Sequence, residues 1–315
     1  MLIAPMRTLE QKISDAGPAD QRVDPLVLSR ARQELQQSGV VAVEQREGVP
    51  WYRLSSTPEQ MWKERLARVG PILDELHSGG NSRRIGKTLE IAVFKALREG
   101  LSNDRGVPFV GGFQGLDDSD EETWRQIEPP SMISGRALSG DTKLDFILFH
   151  PTAGPAAMEV KNTREWMHPD KDLMLELLRK SCELDAVPVM ICRRYAYVTF
   201  SVLHRCGVLL HQNYNQLLPE AMRDVAEQAK NKDLLGYHDI RLGTEPDSRL
   251  RRFVGRQLQS LLPEARERFD EYKDLLWEFA CGEIDYKEFA GRSRRREQGV
   301  PEDFDQDDGH EFDHY

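Results

Sequence analysis

Two short hydrophobic runs joined by a turn constrain this chain more than any other feature. The runs are Lys143–Phe149, KLDFILF, and Ala156–Lys161, AAMEVK. Between them lies HPTAG, whose Pro151 and Gly154 are turn residues, with Pro155 just beyond. Runs of this length bounded by turn residues read as strands, and so short a connection joins antiparallel neighbours. With the loop placed at His150–Gly154, residues whose numbers sum to 304 oppose each other, so Asp145 faces Glu159. Opposed side chains share a face, with Cβ atoms roughly 4.5–5.5 Å apart. Period-two alternation adds Lys161 to that face and turns Leu144, Phe146, Leu148, Met158 and Val160 toward the core.

Two carboxylates opposed in apolar strands repel each other and lose solvation, so the arrangement demands compensation. A divalent cation, Mg2+ or Mn2+, held by Asp145 and Glu159 supplies it, because such ions take hard oxygen ligands and keep places for water and phosphate. Lys161 beside it can orient or help deprotonate a water and offset charge in a phosphoryl transition state. The plainer reading of the same residues is an edge strand in which Lys161 only neutralises Glu159.

The segment Gly86–Gly100, GKTLEIAVFKALREG, reads as a helix in which Glu90 shares the apolar stripe of Val93, Phe94 and Leu97. A carboxylate turned toward a core needs a partner, and a supporting place in the metal site meets that need. The alternative is a position at the margin of a wide helix face. Gly86, one turn earlier, permits close backbone approach. Arg83, Arg84 and Lys87 stand at the expected helix start, where phosphates can be met and where the helix dipole does not favour cations.

The order is thus a helix with Glu90, a strand with Asp145, a strand with Glu159 and Lys161, a helix over about 170–185 and a strand over 187–192. It resembles the PD-(D/E)XK, or restriction-endonuclease-like, nuclease superfamily over roughly residues 83–211. Arg84-Ile85-Gly86-Lys87 with Glu90 is similar to the first-helix pattern of Holliday-junction resolvases and related nucleases. Leu144-Asp145 and Glu159-Val160-Lys161 match the two signature strands, with Lys143-Leu144 where a proline would precede the aspartate. The resemblance implies an α/β fold with a mixed β-sheet flanked by helices. It also implies a catalytic set of Asp145, Glu159, Lys161 and Glu90, with the three carboxylates attending the metal. Arg164, in the loop NTREWMHP, is expected to open beside the site and bind phosphate, with Arg84 and Lys87 as further nucleic-acid contacts. Arg179 and Lys180 on the next helix read as solvated charges outside the catalytic set.

Upstream, Leu26, Leu28, Ala31 and Leu35 form the inward stripe of a helix ended by Gly39, and the β-prone runs Val40–Val43 and Trp51–Leu54 form a hairpin. Helix followed by hairpin resembles the end of a winged helix-turn-helix, a module for DNA or protein contact. A long helix follows from Pro58 to His77, with Trp62, Leu66, Val69, Ile72 and Leu76 inward and Gly79-Gly80 as its stop. The expected domains are a winged-helix-like module at 1–56, a nuclease core at 57–217, a C-terminal helical annex packed on it at 218–292, and a disordered tail at 293–315.

Composition tempers the functional reading. The net charge of −10 argues against indiscriminate binding to a polyanion. Much of that acidity is local, since Pro301–Tyr315 holds seven acidic residues and follows GRSRRREQ, which holds four arginines. Cys182, Cys192, Cys206 and Cys281 lack zinc-site spacing and read as reduced, mostly buried thiols. No apolar run approaches the roughly 20 residues of a membrane span, and a cytoplasmic location is expected. The expected function is metal-dependent hydrolysis of phosphodiester bonds in DNA, in restriction, phage defence or repair. An RNA-directed nuclease and a non-catalytic DNA-binding protein of the same fold stay open. A homodimer would suit double-strand cleavage.

Overall fold

The hairpin adopts the register that its turn spacing predicts. In the computed structural model, which describes residues 2–14, 23, 25–116 and 124–302, strand Phe146–His150 pairs antiparallel with strand Gly154–Lys161. Gly154 lies opposite His150, Ala156 opposite Leu148 and Met158 opposite Phe146, so each pair sums to 304. Strand Gly154–Lys161 pairs in parallel with Val187–Cys192, which pairs in parallel with Leu209–Gln212. Phe109–Val110 adds an antiparallel strand at the other edge, completing a five-stranded mixed sheet. Parallel neighbours need long crossovers, and helices Asp172–Leu184 and Tyr197–Arg205 provide them.

Both faces of this sheet are covered, as parallel strands require. On the even-numbered face Phe146, Leu148 and Met158 are buried, and ring contacts from Phe94 to Phe109 and from Phe109 to Phe146 link it to helix Gly79–Ser102. On the opposite face Ile147 and Ala157, with Met190 paired alongside Glu159, are fully buried in a cluster with Leu177, Phe269 and Leu276, from helices Asp172–Leu184 and Leu258–Ala280. Glu159 therefore points into an interior, and its need for compensation is greater than an open charged face would impose.

The chain divides into two units, and their bounds differ from the expected domains. One comprises Met1–Thr88, Asn162–Trp166 and Tyr214–Thr244, and the other Leu89–Lys161, Met167–Asn213 and Glu245–Tyr315. The first holds strand Ala4–Pro5, helices Met6–Ile13 and Pro25–Gln37, and the hairpin Val41–Arg46 and Val49–Leu54. Glu47 and Gly48 turn that hairpin with positive φ angles of 48° and 76°. Helix Glu59–His77 and helix Arg223–Lys230 share its core, in which Trp51, Trp62, Val69 and Leu76 meet Leu218, Val225 and Tyr237. Shared apolar surface joins segments distant in sequence, so residues 57–88 and 214–244 belong with the N-terminal module and not with the expected core and annex.

Two helix expectations need correction. Ala31 and Leu35 are exposed and Leu28 is half-buried, so these three residues of helix Pro25–Gln37 do not form the buried stripe read from its periodicity. The helix carrying Glu90 begins at Gly79, immediately after Ser78 closes the preceding helix. Arg84 and Lys87 thus lie inside it, and the dipole argument about its start does not apply to them. Gly86 makes no close approach either, since a Cβ built there meets nothing within 4 Å.

The C-terminal helix Tyr286–Glu297 takes in the start of the expected disordered tail. Ser293 is fully buried, while Arg292 pairs with Glu278 and Arg296 with Asp274 and Glu302. The acidic stretch Asp117–Glu122 and residues 303–315 lie outside the described residues. Cys182, Cys192 and Cys206 are buried, and burial pushes each thiol up to about 12; Cys281 is exposed. Among the described residues no helix is long and apolar enough to cross a membrane.

Candidate active site

Asp145, Glu159 and Lys161 meet where the two central strands end. Backbone pairing stops at Phe146 and Met158, one residue short of the Asp145–Glu159 pair. The next N–H facing that neighbour belongs to Val160, and the Asp145 carboxylate accepts it through Oδ2 at 2.7 Å. Asp145 is therefore held by the strand that carries the other two residues. Gly111 supports it from the opposite side: its φ is +98°, and a Cβ there would stand 2.6 Å from the Asp145 carbonyl oxygen.

Glu159 is gripped by two lysines. Lys161 Nζ donates to Oε2 at 2.5 Å, and Lys180 Nζ, from helix Asp172–Leu184, donates to Oε1 at 2.7 Å. Lys161 also stands 3.9 Å from Asp145 Oδ2. Lys180 corrects the expectation of a solvated charge, because its side chain is 3% exposed and also contacts Glu176 Oε1 at 2.6 Å and the Lys143 carbonyl. A signal for it was present in the spacing: Leu177, Lys180 and Leu184 stand at offsets of three and seven, the argument applied to Glu90.

The electrostatics separate the two carboxylates. Burial, reinforced by the charge on Glu159, pushes Asp145 well above the usual carboxylate range, against the opposing pull of Lys161 and the Val160 N–H. Burial also pushes Glu159 up, but Lys161 and Lys180 together outweigh it and hold Glu159 below its ordinary value. For Lys161, burial acts downward and is outweighed by Glu159 and Asp145, so the ammonium keeps its proton more tightly than usual.

The remaining expected site residues are placed differently. Glu90 is half-buried on its helix, accepts a hydrogen bond from Gln126 Nε2 at 3.3 Å, and raises the proton affinity of both Asp145 and Lys161. It is not gathered with them as a third ligand: among the described residues no group of three or more His, Cys, Asp or Glu side chains is placed to hold a metal ion. Arg84 is exposed and Lys87 half-buried, one to two turns before Glu90 on the same helix.

Arg164 is buried inside the first unit and does not open onto a surface. Its guanidinium donates to Gln216 at 3.0 Å, to Asp239 at 2.7 Å and to Gln11, and lies 3.8 Å from the centre of the Tyr237 ring. Asn162 is committed likewise, with hydrogen bonds to the backbone of Ile85 and Leu217. The loop after Lys161 thus serves packing, and the expected phosphate contact by Arg164 is replaced by an internal ion pair.

A divalent cation suits the pair Asp145 and Glu159. Glu159 is buried, Asp145 is nearly so, and the charge on Glu159 acts on Asp145, so a cation shared by the two would relieve their mutual repulsion. Two carboxylates suffice for an ion such as Mg2+, which keeps several waters. No family model, curated protein or solved structure matches this chain.

Proposed function

We propose that the chain is a divalent-cation-dependent nuclease of the restriction-endonuclease-like kind, cleaving phosphodiester bonds in DNA. One observation carries the reading: Asp145 and the Glu159–Lys161 pair converge at the ends of two adjacent strands of a mixed sheet, in the order helix, strands, helix, strand. Asp145 and Glu159 would hold the cation, which when bound supplies Lewis acidity toward a phosphate oxygen. The protein contributes placement and charge. Lys161 Nζ, within 4 Å of both carboxylates, is positioned to orient a water and to offset negative charge as the water oxygen bonds to phosphorus. The phosphorus–oxygen bond to the leaving sugar breaks in the same step; the proton lost by the water passes to solvent, and solvent protonates the leaving oxygen.

Glu159 stays ionised beside its lysines and supplies fixed negative charge. The helix-and-hairpin arrangement of residues 25–54 supports a winged-helix-like role in holding duplex, help that a chain of negative net charge needs.

The test is incubation of the wild type, Lys161→Ala and Asp145→Ala with plasmid, linear and single-stranded DNA and with RNA, in Mg2+, Mn2+ or EDTA. Cation-dependent DNA cutting lost in both variants is the expected result. Cutting that survives both substitutions removes the site assignment. Cutting of RNA alone moves the substrate, and duplex binding without cutting makes the chain a binding module.

A further inference from the structure

We propose that the two lysines on Glu159 have separate duties. Lys180 is a positioning residue that fixes both carboxylates, whereas Lys161 is an exchangeable counterion that yields Glu159 Oε2 to the divalent cation. The inference rests on the cation-dependent reading above.

An ammonium group carries three protons. Those of Lys180 face three acceptors: Glu159 Oε1 at 2.7 Å, Glu176 Oε1 at 2.6 Å and the carbonyl oxygen of Lys143. Lys143 lies two residues before Asp145, so one buried ammonium ties helix Asp172–Leu184 to the backbone leading into Asp145 and to the side chain of Glu159. With 3% of its side chain exposed, no water can take over these contacts. Moving Lys180 would leave Glu159 charged in an interior with half its compensation gone.

Lys161 differs on each count. Its side chain is 23% exposed, its close partner is Glu159 Oε2 at 2.5 Å, and Asp145 Oδ2 is 3.9 Å away. A flexible four-carbon stem lets its ammonium turn toward water while staying tethered to the site. The ammonium also stands between oxygens of both carboxylates, where a cation shared by the two would neutralise the same charge. An ammonium and a divalent ion compete for that charge, and of the two lysines only Lys161 can leave. Once it has yielded Oε2 it remains within reach of the water and phosphate it has to serve.

Isothermal titration with Mn2+, without nucleic acid, separates these duties. Lys161→Met should bind Mn2+ at least about tenfold tighter than the wild type, because the competing charge is gone; tenfold corresponds to ~1.4 kcal/mol. The double variant Lys180→Met with Glu176→Gln removes one positive and one negative charge, so net charge is unchanged and no glutamate is left unpaired beside Glu159. It should unfold cooperatively and bind Mn2+ at least about tenfold more weakly, since the lost positioning of both carboxylates outweighs the relief of one competing ammonium on Glu159. Binding by Lys161→Met that is no tighter than wild type overturns the exchange, and wild-type affinity in the double variant overturns the positioning role. If neither the wild type nor Lys161→Met takes up Mn2+, the cation-dependent reading itself falls. The Lys161 arm stands alone should the double variant fold poorly.

Discussion

The Asp145 carboxylate accepts the Val160 N–H at 2.7 Å, so Asp145 completes the strand ladder as well as facing Glu159. Asp145→Asn keeps an acceptor oxygen for that N–H, whereas Asp145→Ala leaves it without one. Both variants should lose DNA cutting by about 10²-fold or more, the scale of removing one group that stabilises a transition state. The alanine variant should also be less stable than the asparagine variant by about 1–3 kcal/mol, the cost of a buried donor left unsatisfied. Urea unfolding beside plasmid cleavage checks both halves, and equal stabilities would remove the structural one.

Arg164 should matter for folding and not for substrate affinity. Its ion pair with Asp239 is almost fully buried, and its guanidinium packs on Tyr237. Arg164→Met removes one cationic partner of the buried Asp239 carboxylate, so a loss of up to about 3–5 kcal/mol is expected. The measurement is equilibrium unfolding together with DNA affinity at a temperature where the variant is folded. A variant of wild-type stability that binds DNA weakly would restore the phosphate-contact reading.

His211 should make the protein acid-sensitive. Its ring stacks on Phe253 with centroids 4.4 Å apart, and burial pulls its pKa down to about 4, with Asp247 opposing and Arg249 assisting. The unfolded chain protonates this histidine near ~6.5. Between the two values the unfolded state binds the extra proton, so stability present above ~6.5 is lost as pH falls toward ~4, by roughly 3 kcal/mol at most. His211→Phe keeps the stack and should flatten that part of the profile. An unchanged slope in urea titrations across this range would count against burial as the cause.

Gly86 offers a gain. It lies within helix Gly79–Ser102, and a Cβ there meets nothing within 4 Å. Gly86→Ala should stabilise the protein by about 0.5–1 kcal/mol through reduced freedom of the unfolded chain. A lower melting temperature would mean that the glycine has a contact role which the backbone geometry does not reveal.

The hairpin of the site was legible because its causes are local. Turn residues Pro151 and Gly154 set the centre of the loop, a period of two sets which side chains share a face, and both act over a few residues. The strand Val187–Cys192 and the inward stripe Trp62, Val69, Ile72 and Leu76 were legible for the same reason. Spacing alone misplaced Ala31 and Leu35, since periodicity names a helix face without saying whether anything covers it.

The fate of the charged residues depended on contacts that no spacing rule reaches. Lys180 meets the Lys143 carbonyl 37 residues away and Glu159 21 residues away; Arg164 meets Asp239 75 residues away. A lysine or arginine reads alike in a sequence whether water or a closed interior surrounds it. Only the folding of helix Asp172–Leu184 across the strand ends made Lys180 part of the site, and only the first unit's core took Arg164 out of it. Burial is set by which distant surfaces close over a side chain, and desolvation then forces each buried charge to find its partner.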